Sequence, residues 1–95
     1  MLRIEKDSEG CVIKLRLSGR IQSDDIASIR SELGDRYAGK ILELSQVTLM
    51  DLAAIQFLIR CEDEGIELSQ PPSYVREWMI RERAQQDQLG SPNAI

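Results

Sequence analysis

The sequence predicts an α/β fold, with a single-layer mixed β-sheet of about four strands and three helices packed against it. Residues 11–17 alternate apolar and charged side chains, which is the two-residue period of a strand with one solvated face. Residues 23–33 and 51–64 carry apolar residues at helical spacing, and each segment is followed by a glycine. Short apolar runs at 41–44 and 66–68 complete the order strand, strand, helix, strand, helix, strand, helix. Such strand–helix–strand units predict a mixed sheet with helices packed on it.

The first two strands are predicted to form an antiparallel hairpin. Residues 2–6 alternate weakly, and residues 7–10 are turn-forming types. The second strand, 11–17, ends at 18–20, where serine, glycine and arginine follow one another. Its alternation places one face in the core and the other in solvent.

The first helix has a capping signal at its start. Ser23 is a favoured N-cap residue, and Asp24 and Asp25 follow in the first turn, where the helix dipole favours negative charge. Gly34 lies where a C-terminal glycine is expected. The apolar stripe consists of Ile26, Ile29 and Leu33.

The second helix is the most apolar segment of the chain. The run at 41–44 predicts a central strand covered on both faces. Asp51 then caps a helix that extends to about Glu64, before Gly65. Its apolar residues cover more than half of its circumference. Such a helix is either deeply buried or carries a second apolar face for a partner.

The last elements are a strand at 66–68 and a third helix, separated by Pro71-Pro72. Glu77 and Arg81 have the spacing of an ion pair on one helix face. The pattern stops after Gln86, so we predict one domain over residues 1–86 and a disordered tail over residues 87–95. The predicted core-facing stripe of this helix consists of Tyr74, Val75, Trp78 and Met79.

Composition excludes several classes of function. The 95 residues are 42% hydrophobic, enough for one compact core, and the net charge of −4 disfavours nucleic acid and anionic membranes. No run approaches the roughly 18 apolar residues of a membrane span, and the start lacks a signal-peptide core. We therefore expect a cytoplasmic protein with no nucleic-acid partner and no membrane insertion.

Catalytic and metal-binding groups are scarce. The chain has no histidine, so the usual general base is missing. Cys11 and Cys61 lack a metal-ligand spacing and are predicted to be reduced and buried. Residues 62–64 place three acids at a helix C-terminus. They are either a solvated end paired with a nearby arginine, or an acidic patch for a basic partner. We predict no enzyme, cofactor or metal.

The ordered segments resemble the STAS domain of the anti-sigma-factor antagonist family over residues 2–84. Residues 15–21 are similar to its second strand, residues 41–47 followed by Met50-Asp51 to the strand that carries its switch, and residues 65–68 to the next strand. Leu52 stands where the family has its phosphorylated serine or threonine, and Ala54 stands where it has a glycine. The chain thus resembles a short, divergent member that lacks the phosphorylatable hydroxyl.

The resemblance implies a regulatory protein–protein interaction module of bacterial type, not switched by phosphorylation at the usual site. Its protein partner would be an anti-sigma-factor kinase or a transporter ATPase. The alternative is a nucleotide- or lipid-binding sensor, or an accessory subunit of a transporter ATPase. A homodimer is compatible with the sequence. The expected partner-binding residues are Thr48, Met50, Asp51, Leu52, Ala53 and Ala54.

Overall fold

The computed structural model describes residues 1–90, with side chains described to residue 85. A four-stranded mixed sheet has the order β1-β2-β3-β4; β1 and β2 are antiparallel, and the other neighbouring pairs are parallel. This confirms the predicted fold class and order of elements. The elements are β1 (Leu2–Glu9), β2 (Val12–Ile21), a 3-10 turn (Ser23–Asp25), α1 (Ile26–Leu33), β3 (Gly39–Met50), α2 (Leu52–Asp63), β4 (Glu67–Ser69) and α3 (Ser73–Gly90).

The hairpin turns later than the sequence predicts. β1 continues through residues 7–9, which pair with β2, and the turn consists of Gly10 and Cys11. Gly10 has a φ of 62°, a left-handed conformation that glycine adopts without strain. Polar residues at 7–9 suit an edge strand, so their composition alone did not mark a turn.

The core lies between one face of the sheet and the helices. On β2, Ile13, Leu15 and Leu17 are fully buried, while Lys14 and Arg16 lie on the opposite face. Among the described residues no helix covers that opposite face, and Ile41 and Glu43 of β3 are only partly buried there. The prediction that β3 is covered on both faces is therefore wrong, because the helices pack on one side only. The strand is also longer than the predicted run, continuing to Met50.

The apolar side chains of α2 pack in the core of the protein. Ala54, Ile55, Phe57, Leu58, Ile59 and Cys61 are buried, between the sheet on one side and α3 on another. The structure thus favours the deeply buried interpretation of this helix over the one with a second apolar face. Near its end, Gly65 takes a φ of 91°. The amides of Gly65 and Ile66 donate back to the carbonyls of Glu62 and Cys61, which closes the helix.

Ser23 is not the cap of the first helix. The chain first makes the 3-10 turn, and the Asp25 carboxylate accepts from the backbone amide of Gln22 at 2.9 Å. The amide of Ser23 instead donates to Asp51, 28 residues later in the chain. This long-range contact replaces the local cap that the sequence predicts.

Helix α3 packs mainly through Val75 and Met79, which are buried, whereas Trp78 is half-buried and Tyr74 is exposed. Among the ion pairs of the described residues, Glu77 and Arg81 do not form the predicted pair, as is common for exposed long side chains. The helix runs to Gly90, beyond the predicted boundary at Gln86, because the intervening residues are compatible with helix. The rest of the predicted tail, residues 91–95, lies outside the described residues.

Candidate functional site

Asp51 joins three elements at the N-terminal end of α2. Its Oδ1 accepts a hydrogen bond from the backbone amide of Ala54 at 2.9 Å, which is the N-cap that the sequence predicts. Its Oδ2 accepts from the amide of Ser23 at 3.0 Å, and its own amide donates to the carbonyl of Ile21 at 3.3 Å. The end of β2, the 3-10 turn and α2 are thereby fixed to one another through one residue.

The segment around Asp51 presents apolar side chains to solvent. Thr48 is exposed, Leu49 is 54% exposed and Leu52 is 47% exposed, while Ala53 is half-buried. We call Thr48, Leu49, Leu52 and Ala53 the loop surface. Met50 and Ala54, also predicted to bind a partner, are buried and face the core. They shape the segment and offer little side-chain surface.

Sequence reasoning did not single out Leu49. Alternation from the buried Leu42 and Leu44 places Leu49 on the opposite, exposed face and Met50 in the core, as observed. The pairing of β2 with β3 shifts twice, between Arg16 and Ser18 and between Gly19 and Arg20, and the departure from alternation is local, at residues 46–48. After the second shift, Leu49 lies opposite Arg20 on the uncovered face of the sheet. No local signal in the sequence marks these irregularities apart from Gly19, whose φ is 94°.

Leu52 occupies the first position of α2. At a helix start the first backbone amides lack partners within the helix, and the dipole favours an anion there. The side chain at this place is nevertheless an aliphatic one that carries no hydroxyl and cannot accept a phosphoryl group. The arrangement suits contact with an apolar surface better than capture of a charged group.

The C-terminal end of α2 has its charges paired internally. The two terminal guanidinium nitrogens of Arg30 donate to Glu64, at 3.1 and 3.0 Å. The guanidinium carbon lies 5.2 Å from the centre of the Phe57 ring. Arg83 contacts Glu62 at 2.8 Å and Asp63 at 3.1 Å. This geometry supports the interpretation of a solvated end paired with arginines. The hydrogen bonds from Arg30 lower the pKa of Glu64 from its ordinary value of 4.5.

The two cysteines lie in different environments, and both are free thiols. Cys61 is buried as predicted, and burial raises the pKa of its thiol to about 11. Its nucleophilic thiolate is therefore disfavoured at neutral pH. Cys11 is exposed in the hairpin turn, so the prediction that it is buried is wrong.

Shallow cavities of 160–300 Å³ lie on the uncovered face of the sheet, along α3 and beside the end of α2, and none of them is lined by the loop surface. Among the described side chains, those of residues 1–85, no three or more of metal-ligating type come together as a site. Residues 1–90 contain no helix that is long and apolar enough to cross a membrane.

No family model matches this chain, and a search of curated proteins finds no relative. A solved structure does match: the anti-sigma factor antagonist SpoIIAA in its unphosphorylated form superposes with a TM-score of 0.64. The match covers 94% of this chain and all of that one, at 14% identity. The fold is STAS-like. A second structure, of Mglu, superposes with a TM-score of 0.46 at 18% identity. That match covers 73% of this chain and 19% of the other.

Proposed function

We propose that this STAS-like chain is a non-catalytic, cytoplasmic regulatory module that binds a protein partner through the loop surface. The partner class is an anti-sigma-factor kinase or a transporter ATPase. The fold that the chain shares with an anti-sigma factor antagonist supports this class of function.

The exposure of Leu49 and Leu52 on a fixed segment is the observation that carries the proposal. These two large aliphatic side chains are about half exposed, although Met50 and Ala54, close to them in the chain, are buried. Asp51 holds the segment through three hydrogen bonds, so binding would cost little ordering entropy. A fixed, exposed apolar surface is typical of a protein interaction site.

The loop surface has no phosphorylation switch at the usual position, and we propose that its binding is constitutive. Leu52 offers no hydroxyl, and both carboxylate oxygens of Asp51 already accept backbone amides. The loop surface itself is uncharged. A neutral surface of this kind is the one an antagonist would present in its unphosphorylated state.

The alternative function, a nucleotide or lipid sensor, is tested separately by thermal unfolding in the presence of those ligands, because a ligand that binds the native state raises the unfolding temperature. The geometry favours it less, since the described cavities lie away from the loop surface.

A capture experiment with paired variants tests the main proposal. Tagged wild type, Leu52→Glu and Ile80→Glu are used as bait in lysate of the source organism, with mass spectrometry of retained proteins. Ile80 is the matched control, since it is 61% exposed but lies on α3. We expect an ATP-binding protein to be retained by wild type and Ile80→Glu and lost with Leu52→Glu. The same set of proteins with all three baits would contradict the proposal.

A further inference from the structure

Strand β3 has an open edge beyond the end of β4. β4 pairs only with residues 41–43, whereas β3 continues to Met50. Gln70, directly after β4, has a φ of 51°, and the next two residues are prolines, which have no amide proton to donate. The chain thus turns away, and among the described residues no strand lies beside residues 44–50 of β3 on that side.

The backbone groups along this edge lack partners in the described residues. Within residues 1–90, no hydrogen bond outside the strands and helices joins residues 44–50 to another backbone group. Along a strand, successive peptide groups point alternately toward the two neighbouring strand positions of the sheet. Some of the amide and carbonyl groups of residues 44–50 therefore point toward the open side. The Ser45 amide is satisfied by the Glu43 carboxylate at 3.1 Å, so the free part of the edge begins at Gln46.

The open edge differs from β1, which lies at the opposite edge of the sheet. Five of the eight residues of β1 are charged, and its Lys6 is paired with Glu32 of α1 at 3.3 Å. Charges of this kind discourage pairing with another strand. Residues 44–50, by contrast, contain no charge, no glycine and no proline. This is the composition of a segment that readily adds a further strand.

We propose that this open edge pairs antiparallel with the same edge of a second copy of the chain, and residues 46–50 form the contact. A two-fold axis brings identical segments together, and an uncharged segment meets itself without repulsion. The pairing would satisfy the outward backbone groups of both copies and join the two sheets into one. It would also bring the exposed Leu49 side chains of the two copies toward a shared interface.

This inference goes beyond the proposed function and does not depend on it. The two share Thr48 and Leu49, so a dimer would cover part of the loop surface. The pairing itself uses the backbone of β3 and a second copy of the chain, and the mass of the purified chain measures it without any other protein. A short strand pair buries little area, so the dimer is expected to be weak and dependent on concentration.

Sedimentation equilibrium of the purified chain provides the test. We expect the mass of wild type to rise from the monomer value of 10.8 kDa toward twice that value as concentration increases. Gln46→Lys combined with Thr48→Lys places like charges opposite one another across the axis, and we expect this to weaken association by about tenfold. Ser28→Lys combined with Ser31→Lys adds the same charge to the exposed surface of α1 and should leave association unchanged.

Hydrogen exchange at low and high concentration provides a second measurement, in which the amides of residues 46–50 should gain protection with association. Circular dichroism and urea unfolding establish that each variant is folded. A wild-type mass that stays at 10.8 kDa up to about 1 mM chain would overturn the proposal. So would equal association of the two double variants, or new protection that falls outside residues 46–50.

Discussion

The two ends of α2 use their polar groups in different ways. At the C-terminal end, the three acids at 62–64 are held by Arg30 and Arg83, which come from α1 and α3. At the N-terminal end, Asp51 satisfies two backbone amides, and the apolar loop surface is left in solvent. The comparison indicates that the acidic end serves packing of the helices. We propose that the surface that binds a partner lies at the other end.

The largest expected loss of stability comes from changing Asp51, at the N-terminal end of α2. Asp51→Ala removes the N-cap of α2 and the acceptor for Ser23, and we expect it to lower the free energy of unfolding by about 2 kcal/mol. Urea unfolding measures the loss. Asp51→Asn keeps one oxygen acceptor and a good capping residue, so it should lose clearly less. An Asp51→Asn variant as stable as wild type would show that the carboxylate does not bridge the two segments, because asparagine has only one acceptor oxygen.

A smaller effect is expected at the C-terminal end, from Gly65→Ala. A Cβ at this position would meet no atom within 4 Å, so the cost comes from the left-handed backbone, whose φ is 91°. We expect a loss of about 1 kcal/mol in the free energy of unfolding. The matched control is Gly39→Ala, whose backbone is not left-handed but whose Cβ would lie 3.2 Å from the Val12 side chain. A gain in stability for Gly65→Ala would contradict the assigned geometry of the helix end.

The ion pair of Glu64 should give a pH-dependent contribution to stability. Its pKa is lowered in the folded state, chiefly by the hydrogen bond from Arg30, so it stabilises the fold above its ordinary pKa of 4.5. That contribution is lost as pH falls below 4.5 through the lower folded pKa. The urea midpoint of wild type should therefore exceed that of Glu64→Gln at pH 7, and the two should converge in acid.

Glu67→Gln is the control for the removal of one carboxylate, because Glu67 is exposed and makes none of the described ion pairs. Its difference from wild type at pH 7 should be small. A Glu64→Gln difference that is absent at pH 7, or that grows in acid, would argue against the pairing with Arg30.

The smallest effect on stability is expected at Leu52. Because this side chain is 47% exposed at the first position of α2, Leu52→Ser should change the free energy of unfolding by no more than about 0.5 kcal/mol. The variant places a hydroxyl at the position where the family that the chain resembles has one. A loss of several kcal/mol would show that Leu52 is a core residue and not a surface available to a partner.

Local signals in the sequence predicted the order of elements and the Asp51 cap, because an acid directly before an apolar helical segment is itself a capping pattern. The sequence could not show that Ser23 donates to Asp51, since the two are 28 residues apart. The same holds for Arg30 with Glu64, 34 residues apart, and for Arg83 with Glu62, 21 residues apart. Each of these contacts depends on how the helices lie on the sheet.

The exposure of the side chains in the predicted partner-binding segment could be predicted only in part. The segment 48–54 was identified by its resemblance to a known strand and helix start. The predicted set left out Leu49, although alternation from Leu42 and Leu44 places it outward, and it included Met50, which the same alternation places in the core. What alternation does not predict is the pair of register shifts between β2 and β3, near which Val47 lies in the core and Gln46 in solvent.

The central claim is that the N-terminal end of α2 binds the partner and the C-terminal end does not. It is tested most directly by measuring retention of the captured protein on two double variants, Leu49→Ser with Leu52→Ser, and Glu62→Gln with Asp63→Asn. We predict that the first variant, still folded by circular dichroism, loses the partner and that the second retains it as wild type does. Retention by the leucine variant together with loss by the acidic-end variant would contradict the account.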